Sequence, residues 1–145
     1  VEIKNLTIEP TGTCFDDSIH LFGIFAKNPR AEVLLVHGIC KKRDSGDLFS
    51  HAWVERNGEC YFAGIINKEK VGLSASLPEF YEYFRVTDDV TKYTLENILQ
   101  FEDLHSRKSG PWEARYEALT KEGKIENEKT SLTCGDDVAN DSTSV

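Results

Sequence analysis

The chain has no methionine, not even at position 1, and only four prolines in 145 residues. The missing methionine fits removal of an initiator ahead of a small valine, and equally a trimmed chain. No apolar run is longer than Val33-Leu34-Leu35-Val36, far short of the ~20 residues that span a bilayer, and Val1-Glu2-Ile3-Lys4 lacks the apolar centre of a signal peptide. Neither membrane insertion nor export is expected. Positive charge is also scarce. Lys and Arg number 17 against 25 Asp and Glu, a net charge of −8, the wrong sign for neutralising a nucleic-acid backbone or an anionic membrane. Cys14, Cys40, Cys60 and Cys134 form neither a CxxC pair nor a dense framework, which reads as free thiols in a reducing, cytoplasmic setting. Nucleotide-binding glycine loops and the HExxH, GxSxG and EF-hand patterns are absent, so no cofactor is expected.

What is present suits one domain of about 120 residues followed by a tail. From Lys121 onward three basic and six acidic residues are mixed with Ser, Thr, Gly and Asn, too little apolar surface to offset the entropy of ordering, so 121–145 is expected to be mobile. In the body, Phe15, Ile19, Phe22 and Ala26 recur at helical spacing behind Thr13, predicting a buried helix capped by Thr13, with Asp16 in an approximate capping box and Cys14 in the first turn. Asn28-Pro29 ends it. Residues 32–40 read as a strand covered on both faces, and 50–56 and 59–66 as a hairpin turning at Asn57-Gly58. A Pro78-led aromatic segment, a Thr94-capped helix and a Pro111-led helix complete the body. This order predicts an α+β fold: an N-terminal helix on a small antiparallel sheet, with C-terminal helices.

A helix start favours a thiolate through unpaired amide donors and the partial positive charge of the terminus, and Cys14 has that placement. His51, opening a strand, is the natural base to accompany it. Gly12-Thr13-Cys14, then Leu35-Val36-His37-Gly38, then His51-Ala52-Trp53-Val54-Glu55 resemble the transglutaminase-like and papain-like thiol superfamily. The nearest likeness is to small bacterial and phage proteins with this strand, among them the leader peptidases of lasso-peptide biosynthesis. The resemblance implies a papain-like fold with Cys14 as nucleophile and His51 as general base in acyl transfer on a protein or peptide, by a peptidase, amidase or transglutaminase-like route. It also implies an aspartate about twelve residues past the histidine, where this chain has Ala63. A three-residue turn would set Ala63 opposite His51 and a two-residue turn Gly64, and neither side chain can orient an imidazole. Glu55 shares the face of His51 but lies four residues along the strand. Asp17, one helical turn after Cys14, opposes the thiolate that the helix start favours.

Two other readings come from the same residues. With the third group missing, the domain can be a degenerate member that binds a protein, peptide or small molecule without turnover. His37-x2-Cys40 and His51-x8-Cys60 supply two nitrogen and two sulfur ligands for zinc, but the eight-residue spacing is unlike a structural knuckle, so no metal is expected.

Overall fold

A computed structural model describes residues 2–105 of the chain. A short 3-10 turn (Ile3–Asn5) is followed by α1 (Cys14–Phe25), β1 (Val33–Lys41), β2 (Leu48–Arg56), β3 (Glu59–Ile66), β4 (Glu69–Ser76), α2 (Leu77–Tyr83), β5 (Val86–Tyr93) and α3 (Leu95–His105). The expected Pro111-led helix and the acidic tail lie outside the described residues.

The strands form one five-stranded antiparallel sheet in the order β4-β3-β2-β1-β5. Asn57 and Gly58 both adopt positive φ, 52° and 81°, the conformation a two-residue hairpin turn requires, so Arg56 pairs with Glu59 and Val54 with Tyr61. Asn67 and Lys68 make a second such turn, with φ of 52° and 69°, between β3 and β4.

Both faces of the central strands are covered, which is why β1 and β2 read as unbroken buried runs rather than alternating ones. On one face Phe22 of α1 packs on Leu35, Val54 and Tyr93. On the other, Trp53, Val36, Cys40 and Cys60 meet Phe80 and Tyr83 of α2 together with Ile3. Ser76 caps α2 by accepting from the Glu79 amide at 3.3 Å, with Pro78 in the first turn. Thr94 and Asn97 cap α3 reciprocally, each side chain accepting from the other's amide at 3.2 and 3.0 Å. Thr13 precedes α1 but makes no side-chain cap bond. Its hydroxyl turns instead to Asp17, at 2.8 Å.

The β2 and β3 strands pair over only three residue pairs before they part, against nine for β1 and β2 and eight for β3 and β4. The N-terminal segment occupies the opening. Glu9 forms a two-bond bridge to Ile65, both bonds 2.9 Å, on the flank that β2 has left. Leu6 and Ile8 pack on the α2 face, whereas α1, starting at Cys14, packs on the opposite one, so the chain crosses the sheet at this fork.

Candidate functional site

Strand alternation decides where the candidate residues point. His51, Trp53 and Glu55 occupy one face of β2, and Ser50, Ala52 and Val54 the other. His51 lies among the α2-side aromatics. Its ring centroid is 4.7 Å from that of Phe84 and 5.9 Å from that of Phe80, the latter stacked. Cys14 approaches from α1, whose sheet-facing residues Cys14, Phe15, Ser18 and Phe22 are buried against the opposite face. The sheet therefore stands between Cys14 and His51, and the structure does not bring the expected pair together. The histidine on the α1 side is His37, fully buried between Phe15 and Tyr93 with ring centroids 5.1 and 5.2 Å away.

Cys14 is disulfide-bonded, and Cys40 and Cys60 are free. The free-thiol expectation thus holds for Cys40 and Cys60 and fails for Cys14. Burial pushes both free thiols far above their ordinary range, with the Glu55 carboxylate adding to the effect at Cys60. Asp17, expected to oppose a thiolate, is neutralised by Lys70 at 3.0 Å. The candidate zinc ligands are divided between the faces, His37 on one and His51, Cys40 and Cys60 on the other. Among the described residues no group of three or more His, Cys, Asp or Glu is arranged to hold a metal ion.

The motif strand has a different use. The buried Glu55 carboxylate accepts from Trp53 Nε1 at 3.0 Å and from the Tyr81 hydroxyl at 2.6 Å, and pairs with Lys92 Nζ at 2.9 Å. Burial, then the hydrogen bond to Glu55, raises the Tyr81 phenol above its usual range. One carboxylate so fastens β2, α2 and β5 together. The sequence placed Glu55 beside His51 without indicating these partners, because Tyr81 and Lys92 arrive from elements far along the chain.

A cavity of about 510 Å³ opens at the fork, within the size of small-ligand sites. His51, Phe49, Phe84 and Ala63 line it beneath the N-terminal segment, and the β1–β2 turn contributes Lys41, Lys42, Arg43 and Asp44. Cys14 is not part of its wall. Burial lowers the His51 imidazole from 6.5 to about 3, so it faces the cavity as a neutral ring at ordinary pH. No signal for this cavity is readable from spacing, since its walls come from five separate stretches of chain.

No protein-family model, curated protein or solved structure matches this chain. No described helix is long and apolar enough to cross a membrane.

Proposed function

We propose that this domain works by binding rather than by turnover, receiving a ligand or partner segment in the cavity beside His51. The observation that carries this reading is the separation of Cys14 from His51 by the sheet, with Cys14 held in a disulfide. A thiol in a disulfide is no nucleophile, and an imidazole on the far side of a packed sheet cannot take its proton. Ala63 at the position where the resembled family carries an orienting aspartate agrees with loss of catalysis. A helix opening with cysteine and laid across an antiparallel sheet supports a papain-like ancestry. The half-cystine supports an oxidising working environment over the cytoplasm.

Alkylation with iodoacetamide, followed by mass mapping, tests the reading. Cys14 should be unmodified in the untreated protein. After mild reduction it should react no faster than a cysteine in an unfolded peptide, and His51→Ala should leave that rate unchanged. Accelerated alkylation of Cys14 that His51→Ala abolishes would restore the acyl-transfer assignment and end the binding proposal.

A further inference from the structure

The fork cavity joins two kinds of surface. Its floor is apolar and aromatic, from Leu6, Ile8, Phe49, Ala63 and Phe84, while four cations (Lys4, Lys41, Lys42 and Arg43) stand around it with two carboxylates, Glu9 and Asp44, and Lys4 is paired with Glu2 at 3.6 Å. Lys41 and Arg43 thus bring positive charge to the rim of an apolar cavity in a chain whose net charge is −8. The cationic side is also rigid. The Lys41 amide donates to the carbonyls of Phe84 and Arg85 at 3.3 and 3.2 Å, and the turn closes through Lys42 N–H to Asp47 O at 2.8 Å and Gly46 N–H to Lys42 O at 2.9 Å. Arg43 is held by one bond from its guanidinium to the Tyr83 carbonyl at 3.0 Å and lies 4.8 Å over the Tyr83 ring. A guanidinium offers five donors, so this anchor aims the group without exhausting it.

From this juxtaposition, and resting on the binding reading above, we infer that the cavity takes an amphipathic anion: an aliphatic or aromatic body on the floor, with a carboxylate or phosphate head at Arg43 and Lys41. Prepaid positioning of Arg43 keeps the entropic cost of binding the head low. The neutral His51 ring lets the body enter without burying a second charge.

The test is displacement of 8-anilinonaphthalene-1-sulfonate, itself an aromatic anion, from the full chain by submicellar dodecanoate, dodecyl phosphate, dodecanol and dodecyltrimethylammonium. Dodecanoate or dodecyl phosphate should displace the dye along a one-site curve, and whichever is tighter identifies the head group. Dodecanol and the cation should be at least tenfold weaker. Arg43→Gln should weaken the anion about tenfold, the effect of one charge-assisted hydrogen bond. Arg43 also anchors the turn, so the exposed Lys41 supplies a variant that leaves packing alone: Lys41→Glu should cost about fivefold, and Lys27→Glu, exposed beyond the end of α1, should cost nothing. Equal displacement by the neutral or cationic amphiphile, or wild-type affinity in both Arg43→Gln and Lys41→Glu, would overturn the inference. Alkylation at Cys14 is independent of this titration, so a cavity that rejects anions and a cysteine that proves nucleophilic are separable outcomes.

Discussion

Replacing Glu55 by alanine removes the acceptor on which β2, α2 and β5 converge. Trp53 Nε1 and the Tyr81 hydroxyl both donate to Oε2, at 3.0 and 2.6 Å, and Trp53 is completely buried. The buried Trp53 donor left without its charged acceptor costs about 1.5–3 kcal/mol, and the half-buried Tyr81 hydroxyl, which can turn to water, about 1–1.5 kcal/mol. Lys92, with 42 % of its side chain exposed, turns to water and adds less than about 1 kcal/mol. The sum for Glu55→Ala is about 3–5 kcal/mol, in the range for breaking a buried pair from one side. Glu55→Gln keeps a carbonyl oxygen for Trp53 and Tyr81 and loses mainly the charge, so it should cost about 1–2 kcal/mol. Urea unfolding at pH 7 with two probes, far-UV circular dichroism and Trp fluorescence, measures both. The m value should match the wild type, since the change concerns a few contacts and not the surface exposed on unfolding. If Glu55→Ala loses less than about 1 kcal/mol at unchanged m, the carboxylate does not hold the three elements together, and the structural account of the motif strand fails.

Three further outcomes follow from the packing. The buried His51 has its pKa lowered from 6.5 to about 3, so the unfolded chain takes up a proton first as pH falls. The associated stability is complete above about pH 7 and is lost between 6.5 and 3, with about 2 kcal/mol gone by pH 5. His51→Phe should flatten this part of the stability profile, and parallel profiles would refute the assignment. A Cβ built at Gly38 lies 2.9 Å from Trp53 Cη2 and 3.2 Å from Val90 Cγ2, whereas one at Gly72 meets nothing within 4 Å. Thermal unfolding should therefore show Gly38→Ala destabilised by about 1–3 kcal/mol and Gly72→Ala unchanged or slightly stabilised. Cys40 and Cys60 should ignore Ellman's reagent in the native protein and react on unfolding; prompt native labelling of either would contradict its burial.

The elements that the sequence revealed are those with a local cause. The α1 helix follows its apolar spacing to within one residue, and the Asn57-Gly58 turn sets the β2–β3 register that its two-residue length demands. β4 and β5 escaped notice because edge strands meet fewer side chains and so carry polar residues: Glu69-Lys70-Val71-Gly72 and Thr87-Asp88-Asp89 show little apolar alternation. The turn at Asn67-Lys68 has no glycine to announce it. In α3 the Thr94 cap was legible, but which of the helix's apolar residues face inward was not: Ile98 is buried, while Leu95 and Leu99 are exposed among the described residues. The relative placement of Cys14 and His51 was not legible for one reason. A cysteine at a helix start and a histidine at a strand start give no information about which face of the sheet each side chain takes. That depends on the chain passing through the fork between Glu9 and Cys14.

The fork also sets where the molecule is easiest to open. With only three ladder pairs at the β2–β3 seam, the β3–β4 hairpin is a candidate cooperative unit of its own, fastened to the β1–β2–β5 half by side-chain packing and by the N-terminal segment acting as a splint. Amide exchange should then distinguish two populations, with protection at Leu35–Gly38 reporting global unfolding and protection across β3 and β4 reporting a cheaper, separate release. A ligand lodged in the fork, touching both halves, would slow that release more than it slows global unfolding.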